Sequence, residues 1–522
     1  MSVRNGISLL LALGAITFLA ACGGGSGSPK VIPPPSGAFT ASSFSGTYVF
    51  SVAGTDATTT SSSFFALVGT ITADGAGHIT GGSVDINDPN IGGFFPAQAI
   101  AATTYTITSD GRGFISNLIT PNATFALDFV LTSSSHGLIS RFDSLGSGSG
   151  TIDLQVSTSQ SALQSLAFSL SGTDATSVFL LGSVGAVTLD ASGNVTSGTE
   201  DFNEGGSSAG MANLAITPTG SSLVLSSGNS GTATLITSFG ALNFDVWAVD
   251  STHLKLIETD AAAVLAGDAF TQQTTVPAEN LVFTLAGADG TGNALVAGGL
   301  LTAVGDGTFI NGLEDFNDGG VIGTNPAFTG TCATFTAGRC ELHLTGFGNG
   351  AFIFAAYPSS GGIQLLEVDS LGQLQGAAYA QTATAFTTGQ GYGFNLSGTN
   401  GAEVDDIAEF TAGTSNINGI IDENDLGAPL APVALVGTYA PDSPADGRGS
   451  ISVPSAKTFI GGLGLEYYVI DSSTALFIEG DSTQLGVGVF QLQNTPGSAA
   501  GAQAHFSTVR PLVRTHAAVR HK

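Results

Sequence analysis

The chain has 522 residues, with 40 Asp and Glu against 12 Lys and Arg, and a formal net charge of -28. Charged residues occupy 10% of positions, whereas soluble domains usually carry about 25%. So few cations argue against a nucleic-acid partner, because neutralising phosphates requires clustered Lys and Arg. Hydrophobic residues make up 42% of the chain and 74 residues are Gly. With Gly, Ser and Thr in place of the residues that coat helices, the composition predicts β-structure.

The N-terminus has the pattern of an export signal. Arg4 precedes an apolar run from Ile7 to Ala21, which is shorter than the roughly 20 residues that span a bilayer. The run ends in Leu19-Ala20-Ala21-Cys22, which resembles the lipobox of bacterial lipoproteins. The resemblance implies that Cys22 is lipidated and becomes the mature N-terminus, so that membrane lipid is a partner. Because Gly23 rather than Asp follows, it also implies the outer membrane; the alternative is an ordinary signal peptide with an incidental cysteine.

Three landmarks recur four times in the same order, at intervals of about 115 residues. The opening motif has the form Phe-x-x-x-Gly-x-Asp/Asn and begins at Phe50, Phe168, Phe283 and Phe394. The Asp-x-Asn motif occurs as Asp85-Ile-Asn87, Asp201-Phe-Asn203, Asp315-Phe-Asn317 and Asp422-Glu-Asn424. The late motif occurs as Leu256-Ile-Glu-Thr-Asp260, Leu365-Leu-Glu-Val-Asp369, Phe477-Ile-Glu-Gly-Asp481 and, one residue longer, Leu138-Ile-Ser-Arg-Phe-Asp143.

The period is far longer than a solenoid repeat or propeller blade, so each copy is predicted to be a domain. We therefore divide the chain into a signal peptide (1-21), a Gly/Ser/Pro tether (22-43), four copies (44-158, 159-276, 277-385 and 386-494) and a basic tail (495-522). The tail, predicted to be disordered, carries four cations and no acid, so it could dock on the acidic body or on an anionic envelope polymer.

Within copy one, apolar and polar residues alternate with a period of two, which predicts half-buried strands. The predicted strands are 48–53, 64–73, 78–86, 103–108, 114–119, 125–132, 138–142 and 150–156, with Asp-Gly turns such as Asp74-Gly75 and Asp110-Gly111. Eight short strands joined by tight turns predict an all-β, antiparallel, up-and-down barrel in each copy. The architecture is similar to that of lipocalins and avidin. Immunoglobulin-like β-sandwiches are the alternative, and one large transmembrane barrel is a third.

The cysteines Cys332 and Cys340 flank a predicted hairpin in copy three. In an exported chain such a pair is usually bridged, so we predict a disulfide. Metal binding is the weaker alternative, because two thiols without a nearby histidine do not complete a zinc site.

The Asp-x-Asn motifs also suggest a hard cation such as calcium, because oxygen ligands two residues apart precede Gly. The weak candidate ligands are Asp201, Asn203, Asp315, Asn317, Asp422, Asn424 and Asp425. No copy has the full spacing of an EF-hand loop. The competing interpretation is that Asp and Asn end a strand by bonding their own turn, in which case no cofactor is needed.

Each late motif in copies two to four pairs a glutamate with an aspartate two residues on, as in Glu258 and Asp260. The spacing places both acids on one face of a strand, either to meet a substrate or to discourage edge pairing. Copy one has Arg141 and Asp143 instead. The seven histidines share no position in the alignment of the repeats.

These features predict an exported, lipid-anchored lipoprotein of the cell envelope with a non-enzymatic structural, adhesive or ligand-binding role. The partner would be a surface polymer, a protein or a small apolar ligand. One alternative is a lipocalin-like carrier in which each barrel encloses an apolar guest. A secreted hydrolase is the second alternative, although no catalytic constellation is visible in the sequence.

Overall fold

The structure, a computed structural model, describes residues 39–56, 63–174, 179–205, 210–226, 229–261, 263–276, 278–332, 338–454 and 462–494. The predicted signal peptide, Cys22 and the basic tail lie outside the described residues. The described part of the chain is all-β, with three single turns of 3₁₀ helix at Ala41–Ser43, Gln160–Ala162 and Phe347–Asn349. Within those residues, no helix has the length and hydrophobicity needed to cross a membrane.

The strands fall into four sheets, one for each copy. Copy one contains β1 (Ser45–Asp56), β2 (Phe64–Asp74), β3 (His78–Asp88), β4 (Gly93–Ala99), β5 (Thr103–Thr104), β6 (Thr106–Ile107), β7 (Arg112–Ile119), β8 (Thr124–Leu131), β9 (His136–Asp143) and β10 (Gly146–Leu154). Copy two contains β11 (Ser165–Asp174), β12 (Leu180–Leu189), β13 (Val195–Glu204), β14 (Met211–Ala215), β15 (Ser222–Leu225), β16 (Ser230–Thr237), β17 (Gly240–Ala248), β18 (His253–Glu258) and β19 (Ala263–Thr271).

Copies three and four have eight strands each. Copy three contains β20 (Glu279–Asp289), β21 (Ala294–Ala303), β22 (Thr308–Asp318), β23 (Val321–Cys332), β24 (Cys340–Thr345), β25 (Ala351–Ser359), β26 (Gly362–Glu367) and β27 (Gly372–Ala380). Copy four contains β28 (Gly391–Thr399), β29 (Glu403–Ala412), β30 (Asn416–Asp425), β31 (Val433–Pro441), β32 (Arg448–Pro454), β33 (Gly462–Asp471), β34 (Thr474–Glu479) and β35 (Leu485–Leu492).

Every copy is an antiparallel meander whose first strand pairs with its last, so the predicted up-and-down barrel is confirmed. Copies three and four are closed eight-stranded barrels. In copies one and two the fourth strand is broken into pieces. These are β4, β5 and β6 in copy one, and β14 and β15 in copy two. The pieces still reach both neighbours, because β5 pairs with β3 while β6 pairs with β7. Closure through first and last strands is not the crossover topology of an immunoglobulin sandwich.

Aromatic and aliphatic side chains fill the four barrels. The phenylalanine that opens each first motif lies in the core of its own barrel: Phe50, Phe168, Phe283 and Phe394. Three of the four face a glycine on the second strand, as Phe50 faces Gly69. Copy four has Ala408 opposite Phe394. The opening motif therefore supplies one large core residue to each barrel at the seam where the barrel closes.

The glycine of the opening motif is explained by how closely the first and last strands approach. A Cβ built on Gly172 would lie 1.8 Å from the carbonyl oxygen of Val264 on β19. Gly54, Gly287 and Gly398 meet the last strand in the same way. On the last strands, a Cβ at Gly150, Gly267, Gly376 or Gly488 would likewise meet a carbonyl oxygen of the first strand, at 1.7 to 2.2 Å. Any side chain at these positions would force the two strands apart and open the barrel.

Two departures from the sequence prediction concern copy one. β4 was not predicted, because it contains Pro96 and because its side chains, all half-exposed or exposed, do not alternate between buried and exposed as those of a typical strand do. β10 begins at Gly146 rather than at residue 150, within a run that alternates Gly with Ser. That run lacks apolar residues because Ser147 and Ser149 point outward and bond the carboxylate of Asp405 in copy four.

The barrels pack on one another in a closed ring. The second strand of each copy contacts the sixth to eighth strands of the next copy, as β2 contacts β18 and β19. Copy four returns to copy one in the same manner, since β29 contacts β8, β9 and β10. Three apolar clusters of outward-facing side chains lie between copies one and two, between two and three, and among one, three and four.

We predict that Gly172→Ala destabilises the protein by about 3 kcal/mol, as overpacking at a fixed backbone contact does. The measurement is the free energy of unfolding in urea. Gly205→Ala is the control, because a Cβ there meets nothing closer than 3.4 Å. Equal stability of the two variants would show that the strands can separate at the seam without cost.

Candidate functional site at the junctions between copies

The three landmarks meet at one end of each barrel. In an antiparallel meander the first, third and seventh strands all end on the same side, and these strands carry the opening, Asp-x-Asn and late motifs. The strand order of the four sheets places them there in every copy. The Asp-x-Asn motif lies at the junction with the next copy, and the late motif lies at the junction with the preceding copy.

The side-chain amide of the asparagine in each Asp-x-Asn motif donates hydrogen bonds to the backbone of the next copy. Asn424 Nδ2 donates to the carbonyl oxygens of Arg141, Asp143 and Gly146 at 3.0, 3.3 and 2.8 Å. These carbonyls belong to the turn between the seventh and eighth strands of copy one. The other three asparagines do the same to the next copy along: Asn87 to Glu258 and Ala263, Asn203 to Glu367 and Gly372, and Asn317 to Glu479, Asp481 and Gln484.

The aspartate of each Asp-x-Asn motif accepts hydrogen bonds from the next copy. Trp247 Nε1 donates to Asp85 at 2.6 Å. Tyr468 and Arg448 donate to Asp315 at 2.9 and 2.8 Å. Asp201 accepts from Arg339 and Tyr357, and Asp422 from Arg112. Trp247, Tyr357 and Tyr468 occupy the same position of the sixth strand, as their pairing with the seventh strand shows.

The residues considered as calcium ligands thus bond protein groups. Asp201, Asp315 and Asp422 face donors of the next copy, and the amides of Asn203, Asn317 and Asn424 bind its backbone. Asn317 and Asn424 also accept an N–H from their own turn, at 3.0 Å in both cases. Asp425 is half-buried and accepts from Asn400 at 3.4 Å. Among the described residues no group of three His, Cys, Asp or Glu could hold a metal ion.

We predict that Asn424→Ala destabilises the protein by about 2 kcal/mol, because three carbonyl groups lose their donor. Urea unfolding of the purified protein measures the change. Asn117→Ala is the matched control, since Asn117 is exposed and bonds the adjacent Ser116. A change of the same size in both variants would mean that the bonds across the junction add nothing to stability.

The late motifs place their glutamates inside the barrels. Glu258, Glu367 and Glu479 are fully buried, each near the aspartate two residues on. Burial, reinforced by that aspartate, raises the pKa of Glu258 to about 8 and the pKa of Glu367 to about 9. Arg141 takes this place in copy one, where it pairs with Asp56 and Asp143. The predicted pairing of acids on one face is therefore present, but it points into the barrel rather than toward an edge.

We predict that stability falls as the pH rises from 5 to 9. An acid whose pKa is higher in the folded than in the unfolded protein stabilises the fold only while protonated. Glu258 and Glu367 therefore favour folding at acidic pH and lose that contribution as the pH passes through about 8 and 9. The free energy of unfolding at pH 5, 7 and 9 tests this. The double variant E258Q and E367Q should show a shallower dependence; an unchanged slope would exclude these two groups as its source.

A buried polar cluster joins copies one and two behind the junction. Lys255 Nζ lies 3.2 Å from Asp153 and 3.3 Å from Asp268, and donates to Thr151 at 2.6 Å. Burial favours the neutral amine, but Asp268 and Asp153 outweigh it and raise the pKa of Lys255. The ammonium group therefore stays charged in the interior, balanced by carboxylates from two copies.

Two histidines extend this cluster. His136 Nδ1 lies 2.6 Å from Asp153, and His253 Nε2 lies 2.8 Å from Asp268. Contrary to the sequence analysis, the two occupy one repeat position, since the register aligns Ile139, not Leu138, with Leu256. The longer late motif of copy one was thus an alignment error of one residue, and it concealed the equivalence.

Each of the five Lys and Arg side chains among the described residues pairs with a carboxylate. Four of these pairs join neighbouring copies: Arg112 with Asp422, Lys255 with Asp153, Arg339 with Asp201, and Arg448 with Asp315. Arg112, Arg339 and Arg448 stand at or just before the start of the fifth strand. A disulfide links Cys332 to Cys340, and so holds the segment from which Arg339 reaches Asp201.

Copy four closes the ring with additional acids at the start of β29. The carboxylate of Asp405 accepts hydrogen bonds from Ser147 and Ser149, and that of Glu403 accepts one from Thr55. The acidic start of copy four, which distinguishes it from the other copies, is therefore matched to hydroxyl groups of copy one.

Fold and junctions together define the class: a chain of four tandem β-barrels joined head to tail in a ring. No known protein family matches it by sequence model, and no curated protein matches its sequence.

Proposed function

We propose that the protein is a lipid-anchored, non-enzymatic lipoprotein of the cell envelope, in which the ring of barrels is a rigid body that presents its outer surface to an envelope partner. Cys22 is the anchor, and the residues between it and Phe39 are the tether between the lipid and the ring. The side chain of Phe39 lies in the core of the first barrel, so residues 39–43 of the predicted tether belong to the ring. A cysteine bearing several acyl chains would hold such a body firmly, whereas one chain gives only marginal binding.

The observation that carries the proposal is the use of the repeated polar residues within the molecule. The recurring Asp-x-Asn side chains bond the next copy, as in Asn424 to Gly146. These side chains are therefore already bonded within the protein. Their repetition supports a role in joining the copies better than it supports four separate ligand-binding sites. A partner would meet one body rather than four domains on flexible linkers, and the gain in avidity from independent modules would not apply.

The interior of the third barrel also favours a structural body over an apolar carrier. A cavity inside the third barrel, lined by residues such as Phe283, Phe328 and Leu365, has a volume of about 30 Å³. Ligand pockets have volumes of about 300 to 1,000 Å³. A guest the size of a fatty acid or sterol would have to displace the aromatic core of that barrel.

We predict that Cys22→Ala moves the protein from the membrane fraction to the soluble fraction of cells that export it. The physical reason is the loss of every acyl chain, each buried methylene of which contributes about 0.8 kcal/mol. Fractionation followed by immunodetection measures the shift, and incorporation of a labelled fatty acid confirms the anchor. Ser26→Ala, a change in the same tether, is the control and should stay with the membrane. Retention of Cys22→Ala in the membrane fraction would overturn the anchor.

A further inference from the structure

The junction between copies four and one differs from the other three. At the position of the sixth strand that holds Trp247, Tyr357 and Tyr468 in copies two to four, copy one holds Val130. Val130 has no group that can donate to Asp422, and among the described residues of copy one only Arg112 donates to it. The junction that closes the ring therefore lacks the aromatic bond found at the others.

A cleft of about 310 Å³ opens at this junction. Its walls are largely apolar and come from both copies, with Phe114, Phe129 and Phe142 on one side and Ile407 and Pro432 on the other. Phe114 is 37% exposed, so the cleft can be reached from solvent. Its volume lies at the lower end of the range for small-molecule sites.

Polar groups line one part of the cleft. Arg112 is already engaged, 3.2 Å from Asp110 and 3.1 Å from Asp422. Asp128 also lines the cleft and is 8% exposed. Its carboxylate accepts no hydrogen bond from any residue that the structure describes. An ionised carboxylate in such a place is costly unless a cation or donor meets it.

The acids of this region outnumber its cation. Asp110, Asp128 and Asp422 surround Arg112, and Glu409 of copy four is buried nearby. Burial and the neighbouring Asp422 raise the pKa of Asp128 to about 8. The cleft thus combines aromatic walls with an excess of acids over cations, and a cation beside Asp128 would favour the ionised form of its carboxyl over the neutral form that burial favours. This combination suits an organic ammonium ion, because the face of an aromatic ring attracts a cation as a carboxylate does.

We propose that the cleft between copies one and four is a binding site for a small organic cation, an ammonium group on an aromatic or short aliphatic body, with Asp128 as the residue that receives the positive charge. The inference goes beyond the role proposed for the whole molecule and does not depend on the lipid anchor. It gives the ring one ligand site at its closing junction, where the repeat has diverged.

Calorimetric titration with 2-phenylethylamine at pH 8.5 in 150 mM salt tests the site, with 2-phenylethanol as the uncharged analogue. At this pH Asp128 is largely ionised, whereas a primary alkylamine, like lysine, is still mostly protonated. We expect saturable binding of the amine with a one-to-one stoichiometry and at least tenfold weaker binding of the alcohol. Asp128→Asn keeps the shape of the side chain and removes its charge, and should weaken amine binding at least tenfold. Phe114→Ala should weaken binding of both compounds.

Asp245→Asn is the matched control. Asp245 occupies the same strand position in copy two as Asp128 does in copy one, two residues before the aromatic position that holds Trp247. Binding by this variant should equal that of the unaltered protein. The proposal would be overturned by failure of the amine to bind, by equal affinity for the alcohol, or by Asp128→Asn and Asp245→Asn having the same effect, which would indicate attraction to the acidic surface in general.

Discussion

The architecture depends on one hydrogen-bonding arrangement, in which an asparagine at the end of the third strand of one copy binds backbone carbonyls between the seventh and eighth strands of the next. The interface is heterologous, because each copy contacts the next copy through one face and the preceding copy through a different face. Such an interface either closes into a ring or leaves an unsatisfied face at each end. Here Asn424 of copy four binds the turn at Gly146 in copy one. Closure means that no copy needs the special capping surface that ends an open array of repeats.

The ring also explains the positions of the few Lys and Arg side chains among the described residues of this acidic chain. Arg112, Arg339 and Arg448 each meet the aspartate of an Asp-x-Asn motif in another copy. Removing one partner of a buried pair leaves an uncompensated charge and costs more than the pair itself contributes. The cations therefore act mainly to fix which surfaces meet. At the junction of copies four and one, for example, Asp422 and Asp110 would repel each other without a cation between them.

The sequence alone could predict the class of fold and the places where the copies resemble one another. A glycine such as Gly172 recurs because a facing backbone oxygen occupies the space of its side chain, and that constraint is local and periodic. The bonds across junctions join residues that are far apart in the chain, as Asn424 and Arg141 are, and strand periodicity carries no information about them. The Lys255 cluster could not be predicted either, because the other copies have no lysine at the position of Lys255, and one misaligned residue concealed the equivalence of His136 and His253. β4 was missed for a different reason: it contains Pro96, and a proline in a sequence usually indicates a loop, although an edge strand can accept one.

The two halves of the Asp-x-Asn motif differ in how freely their partners can change. The asparagine binds main-chain carbonyls, which any residue supplies, so this contact is independent of the side chains in the next copy. The aspartate requires a side-chain donor, and that donor is Trp247 at one junction but Arg448 with Tyr468 at another. Side chains of the sixth strand can therefore diverge while the backbone contact keeps the ring closed. In copy one this position is Val130, beside Asp128 and the cleft. A ring held by main-chain bonds can thus alter one junction for a ligand and leave the other three to maintain the structure.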